Sequence, residues 1–225
     1  MENETAEQRT DYRFLEDEQV EKYFADLNIK LLSGRHIHQD EYNTFSLLED
    51  WYDELSGYYR QLYRLNLVRD VYDQSVYYYL DFFSIGKGKI SDPSRTRVLT
   101  QLQTIVGLML LDMYYTRYFD NPKTIHWRDI QQELEEGEHK SAYQRIFFDA
   151  VRPSYTQSEW QSVEGKFNKT IQSFAELGWV NRISGQQEDL AFDIKPAIHR
   201  LAKLYEQELN HFTEFASKII PKQEE

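Results

Sequence analysis

Residues 31–37 read Leu31-Leu32-Ser33-Gly34-Arg35-His36-Ile37, and the change of pattern across them decides the fold. Before this stretch, Val20, Tyr23, Phe24, Leu27 and Leu31 recur at three- and four-residue steps, the spacing of a helix with one face on a core. Gly34 stands where that helix should stop, because a left-handed residue there satisfies the last carbonyls and glycine adopts it without strain. Asp40 is then placed to cap a second helix, with Phe45, Leu48, Tyr52, Leu55 and Tyr59 as its stripe. The period next falls to two. Tyr63, Leu65 and Leu67 alternate, as do Val76, Tyr78, Leu80 and Phe82, with a turn near Asp73-Gln74. Helix, helix, hairpin predicts a winged-helix unit.

Working outward, residues 1–17 read as a polar arm, and residues 84–93 (SIGKGKISDP) read as a linker punctuated by two Gly and a Pro. The pattern then repeats. A long helix is predicted over 95–118, with Val98, Leu102, Ile105, Met109 and Met113 on one face and an apolar stretch at 107–111 that suits a buried central helix. Thr124 is placed to cap a shorter helix bearing Ile130 and Leu134, and residues 142–151 offer a further helix before Pro153. Phe167, Ile171, Phe174 and Leu177 mark a helix over 158–177 that Gly178 would end. Residues 179–183 and 190–194 predict a second hairpin around Gly185, and Pro196 opens a last helix lined by Ile198, Leu201, Tyr205 and Phe212. The expected architecture is mainly α with small β-hairpins (α+β). It comprises tandem winged-helix domains, the first over 18–90 and the second over 91–220 with the C-terminal helix.

Composition excludes several functions. The 225 residues suffice for one large or two small domains with a real core. Formal net charge is −12, whereas proteins that bind bare DNA do so largely through Lys and Arg that displace counterions. The free chain is therefore expected to bind DNA poorly away from any local basic patch. Cysteine is absent, which excludes disulfides and thiolate metal sites and suits a reducing, cytoplasmic setting. Residues 1–10 are polar and acidic, unlike a signal peptide, and the apolar stretch 105–111 is far too short to span a bilayer.

Four groupings are candidates for chemistry or binding. Arg35, His36 and His38 with Glu41 bring two imidazoles and a carboxylate together, as a metal site or an enzyme centre would. The alternative is an elbow in which Arg35 and His36 bond the free carbonyls of the preceding helix. Gly86-Lys87-Gly88-Lys89 lacks the spacing and the Ser/Thr of a phosphate-binding loop, so a linker is expected. Lys87, Lys89, Arg95 and Arg97 could still touch DNA phosphates weakly inside a larger complex. In the recognition position, the first helix carries Glu41, Glu49, Asp50, Asp53 and Glu54 against Arg60, and the second carries Lys166 and Lys169 among Glu159, Glu164 and Glu176. Major-groove reading by either is disfavoured. Finally, Tyr77-Tyr78-Tyr79-Leu80-Asp81-Phe82-Phe83 is apolar on both faces. Either the strand is covered on both sides within its domain, or Tyr77, Tyr79 and Phe83 meet a partner subunit. No catalytic, metal or cofactor-binding residue is assigned.

Three blocks resemble the MukE/MksE family of bacterial condensin subunits. They are Leu31-Leu32-Ser33-Gly34-Arg35-His36-Ile37 with Asp40-Glu41; the Tyr-rich helix end and strands over 62–69 and 77–80; and Phe174-Ala175-Glu176-Leu177-Gly178-Trp179-Val180 followed by Leu190-Ala191-Phe192-Asp193-Ile194. The similarity spans about residues 20–205. Residues 138–155 and the N-terminal arm have no counterpart in it, and the acidic tail of some members is reduced to Lys222-Gln223-Glu224-Glu225. The resemblance implies a non-catalytic, dimeric winged-helix subunit without cofactor that clamps a kleisin of the MukF/MksF kind. Through that kleisin it would work with an SMC ATPase of the MukB/MksB kind on DNA in the nucleoid. The complex would serve chromosome organisation and segregation or defence against plasmids. Ser33, Gly34, Arg35 and His36 carry the family signature. The rival reading is a winged-helix transcription regulator, in which Lys166 and Lys169 would matter.

Overall fold

A computed structural model describes residues 12–82, 99–183, 190–210, 212, 214 and 215. The chain divides into two compact units, Met1–Val98 and Leu99–Glu225. The expected linker at 84–93 lies outside the described residues, as do Phe83, Lys87, Lys89, Arg95, Arg97 and Gly185.

In the first unit, a 3-10 turn at Tyr12–Glu16 buries Phe14, so the end of the expected polar arm contributes to the core. Asp17 caps helix α1 (Glu18–Leu32) by accepting the N–H groups of Gln19 and Val20 at 2.9 and 3.2 Å. Strand β1 (Ile37–His38), helices α2 (Tyr42–Asp50) and α3 (Tyr52–Tyr63), and strands β2 (Asn66–Tyr72) and β3 (Ser75–Asp81) follow. The sheet is antiparallel in the order β1-β3-β2. Asp73 and Gln74 both have positive φ (51° and 60°), the geometry of a tight two-residue hairpin turn that matches the strand twist. Leu27, Leu31, Ile37, Leu48, Leu55, Tyr59, Leu65, Tyr78 and Leu80 form the centre of the core.

Three expectations for this unit are corrected. The helix predicted from Asp40 to Arg60 is two helices, broken at Trp51, whose ring lies 6.1 Å from that of Phe14. Trp51 itself leaves the helical region (φ −124°, ψ 30°), which separates the two helices. The cap position of α2 is Glu41 rather than Asp40, and the Glu41 side chain makes no capping hydrogen bond. Tyr63 ends α3 instead of opening a strand, because Arg64 turns left-handed (φ 55°).

The second unit opens with helix α4 (Gln101–Thr116), whose start is a capping box between Thr100 and Gln103. Every residue from Thr104 to Leu111 is buried, as the apolar run predicts. A Cβ on Gly107 would stand 2.7 Å from Leu201 Cδ1 and 3.5 Å from Phe174 Cζ, so this glycine sets how closely its neighbours approach α4. Next come β4 (Lys123–His126), α5 (Trp127–Glu136), α6 (Lys140–Phe148) and α7 (Gln157–Glu176). Strands β5 (Val180–Arg182) and β6 (Ala191–Ile194) follow; Pro196–His199 then form a 3-10 turn ahead of α8 (Arg200–Leu204) and α9 (Glu206–Asn210). The sheet order β4-β6-β5 repeats the first unit's arrangement, with the first strand beside the last. Thr124 is not a helix cap: it lies in β4 opposite Asp193, to whose carboxylate its hydroxyl donates at 2.7 Å. The start of α5 is closed instead by Asp129, which accepts the His126 N–H at 2.7 Å.

Candidate functional site

The elbow after α1 is closed by backbone. The Gly34 N–H donates to Leu31 O at 3.0 Å and the Arg35 N–H to Lys30 O at 3.1 Å, the paired bonds of a left-handed helix stop, with Gly34 at φ 85°. The second unit repeats the device: Gly178 (φ 72°) and Trp179 donate to Ala175 O and Phe174 O at 3.1 and 3.0 Å. The carbonyls at the end of α1, expected to be served by the side chains of Arg35 and His36, include those of Lys30 and Leu31, which these backbone donors reach.

Both side chains also have contacts away from that helix end. Arg35 Nε donates to both oxygens of Glu41, at 3.0 and 3.1 Å. Lys30 Nζ pairs with the same carboxylate at 3.2 Å and with Asp26 at 2.7 Å. Burial pushes the Lys30 ammonium down, but its hydrogen bonds to Asp26 and Glu41 outweigh that and hold its pKa above the usual lysine value. The chain Asp26–Lys30–Glu41–Arg35 is therefore a half-buried ion network that ties the end of α1 to the start of α2. Both Glu41 oxygens are occupied by cations, and among the described residues no group of three His, Cys, Asp or Glu is placed to hold a metal ion.

Strand β1 splits the next three residues between two faces. Ile37 pairs with Tyr78 and points into the core, whereas His38 pairs with Tyr77 on the outer face. His36 joins that outer face. Its ring centroid lies 4.9 Å from that of Tyr79, and the His38 ring lies 5.6 Å from that of Tyr77. Tyr77 and Tyr79 stack at 6.1 Å, and the Tyr77 hydroxyl donates to Asp70 at 3.1 Å. The four rings are buried: His36 is 1% exposed, His38 5%, Tyr77 0% and Tyr79 8%. Tyr77 and Tyr79, candidates for a partner-facing surface, are therefore buried in the free chain. On the inner face, the Tyr78 hydroxyl donates to Glu49 of α2 at 2.5 Å.

The helices in the recognition positions carry little free positive charge. Helices α2 and α3 hold Glu49, Asp50, Asp53 and Glu54 against Arg60 alone. On α7, Lys166 Nζ donates to the Phe147 carbonyl at 3.3 Å, so one of its two lysines holds α6 in place. Arg182, on β5, is bound to Gln172 and Asn168. The segment 138–155, which has no counterpart in the family resemblance, packs through Phe147 and Phe148 on Phe167 and Trp160, at 4.9 and 4.8 Å. Sequence reading also passed over Tyr118 and Phe119, which stand exposed after α4. The signal was present in a pair of aromatics between the helix and an Asn-Pro turn.

Comparison with known proteins follows this geometry. The profile of the family described as condensin complex protein MksE matches residues 22–206. The chain is similar to the chromosome partition protein MukE of Mannheimia succiniciproducens, 25% identical over 181 residues, covering 79% of this chain and 68% of the relative. It is similar to the MukE of Actinobacillus succinogenes at the same identity and length, covering 79% and 67%.

Proposed function

The chain belongs to the MksE family of condensin complex proteins, and on that premise we propose that it is a non-catalytic subunit that dimerises and binds the kleisin of an SMC-type complex. Each unit is read as a winged helix. The support is the shared order of helix, strand, helices and hairpin, with the first strand beside the last in both sheets. The chain holds a kleisin segment and so limits the geometries open to the ATP-driven complex, while the ATPase and most DNA contacts belong to other subunits. The names of the relatives speak for chromosome partition, hence a place in the nucleoid; defence against plasmids is the alternative service of such a complex.

One observation carries this reading. The helices that a winged helix would lay in a major groove are acidic (α2 and α3), or have one of two lysines spent on a carbonyl (α7). The rival, a transcription regulator, requires the isolated chain to select a duplex. The test is fluorescence anisotropy of the purified chain against a pool of labelled random duplexes at physiological salt. Weak binding without sequence preference is expected. Selective binding that Lys166→Ala or Lys169→Ala abolishes would replace this reading with the regulator.

A further inference from the structure

Strand β2 is the last strand of its sheet, and its outer edge is only partly closed. A two-residue turn joins Tyr72 to Ser75, so the hydrogen-bonded pairs are Tyr72–Ser75, Asp70–Tyr77, Val68–Tyr79 and Asn66–Asp81. Leu67, Arg69 and Val71 therefore turn their N–H and C=O groups away from β3. Two of these groups are capped by side chains of the same unit. The Val71 N–H donates to the Asp70 carboxylate at 2.9 Å, and the Leu67 C=O accepts the Tyr52 hydroxyl at 3.1 Å. Among the described residues, nothing bonds the Leu67 N–H, the Arg69 N–H and C=O, or the Val71 C=O. Arg69 and Val71 are exposed, Val71 by 51%. Proteins blunt such edges against unwanted pairing; here the blunting is selective.

We propose that β2 pairs antiparallel with β2 of a second copy of this chain, about a two-fold axis at Arg69, and so joins the two sheets into one. In that register the Arg69 N–H of each copy meets the Arg69 C=O of the other, and each Leu67 N–H meets the other copy's Val71 C=O. The remaining groups that face each other are the Val71 N–H and the Leu67 C=O, the two that are already capped. The edge is thus complementary in charge to itself, with an open N–H against an open C=O at each bond and a capped group against a capped group elsewhere. An extended peptide fits less well. Its C=O opposite the Val71 N–H and its N–H opposite the Leu67 C=O would face capped partners, and a polar group left unpaired is costly. The side chains agree with a second copy. Val71 comes beside the other copy's Leu67, which takes an exposed apolar group out of water, and Asp70 stands opposite Val68 rather than its own counterpart. The two Arg69 side chains are neighbours, a like-charge contact. Each bonds the Tyr78 hydroxyl that Glu49 also holds, so a carboxylate accompanies each cation.

The pairing presupposes the reading of the chain as a dimeric subunit. Its test uses the full chain, which has no cysteine of its own. In Arg69→Cys the paired Cα atoms would stand about 5.5 Å apart, within disulfide reach. Copper-phenanthroline oxidation should lock this variant into a covalent dimer, and should lock Ile29→Cys, at an exposed site on α1, far more slowly. Arg69→Pro removes an outward N–H and no bond to β3. Sedimentation equilibrium at physiological salt should show its dimer dissociation constant raised about tenfold or more, as loss of two hydrogen bonds does, at an unchanged melting temperature. Val71→Lys blunts the edge at an exposed side chain and should weaken the dimer likewise, which decides the matter if Arg69→Pro melts early. A wild-type dimer that Val71→Lys does not weaken, or that Arg69→Cys does not lock, overturns this face and leaves the subunit reading intact. A wild-type chain that is monomeric both alone and with the kleisin-type subunit overturns the dimeric reading, and the face with it. Variants that keep the dimer but lose the kleisin-type subunit would give the edge to a peptide and also overturn the pairing.

Discussion

Tyr59 and Tyr78 sit in the same core, yet replacing each with phenylalanine should move stability in opposite directions. The Tyr59 hydroxyl is buried without a hydrogen-bond partner among the described residues, with the rings of Tyr58 and Tyr63 at 5.1 and 6.0 Å. Burial, then the neighbouring Tyr58 and Tyr63, pushes its phenol well above the ordinary tyrosine range. A hydroxyl withdrawn from water without a partner costs about 1–3 kcal/mol. Tyr59→Phe removes that cost and leaves a gap the size of one oxygen, worth a few tenths of a kcal/mol at roughly 24 cal/mol per Å³. A net gain of about 1 kcal/mol is expected. The Tyr78 hydroxyl instead donates to Glu49 at 2.5 Å, and burial followed by that bond raises its pKa to about 12. A hydrogen bond to a charged group contributes about 1.5–3 kcal/mol, less here because Glu49 is exposed, so Tyr78→Phe should lose about 1 kcal/mol. Urea unfolding read by tryptophan fluorescence measures both, with Trp51 reporting on the first unit. The m-values should not change. A Tyr59→Phe variant destabilised by 1 kcal/mol or more would refute the reasoning, since the hydroxyl would then have to be bonded. A neutral Tyr78→Phe would show that the Glu49 bond contributes nothing in solution.

Other substitutions test the elbows and the charged groups. Gly34→Ala places a Cβ at φ 85° and should cost about 1–2 kcal/mol in the same unfolding assay; a neutral result would mean the elbow relaxes freely. Burial, then the nearby Asp112, raises the Glu133 carboxyl pKa, with His139 acting against them. A raised folded-state value means stability fully present below the unfolded carboxylate value of about 4.3 and lost as pH rises through the folded one. Glu133→Gln should therefore raise the melting temperature at pH 7 but not at pH 4, and an equal gain at both pH values contradicts this. Glu159 is the reverse case. Its bond to Arg152, then its bonds to the Thr156 backbone and hydroxyl, hold its pKa down to about 2. Its contribution is present above the unfolded value and lost as pH falls toward about 2. Glu159→Gln should lower the melting temperature at pH 7, and an unchanged melt there would count against the cap.

Much of the fold was legible because its signals are local. The stripe from Val20 to Leu31, the stop at Gly34, the turn at Asp73-Gln74 and the buried run around Gly107 follow from spacing and residue chemistry. What escaped depends on distant partners. Strand β4 is four residues long and exists through its pairing with β6, about seventy residues away in sequence, so Thr124 reads locally as a helix cap. The break at Trp51 has no Pro or Gly to mark it and is associated with a ring contact to Phe14. The sequence showed that the Tyr77–Phe83 strand is apolar on both faces, but not that His36 and His38 lie over Tyr77 and Tyr79. The ion network at Glu41 was hidden likewise: Arg35 and Glu41 are near in sequence, while Lys30 and Asp26 reach the site from the preceding helix.

Whether this chain is built to hold protein is tested most directly by its mass in company. The chain is co-expressed with a kleisin-type subunit from the same genome, and the purified product is weighed by light scattering after gel filtration at physiological salt. A single species containing two copies of this chain with the kleisin-type subunit is expected. Separate elution of the two proteins, each at its own mass, would contradict it.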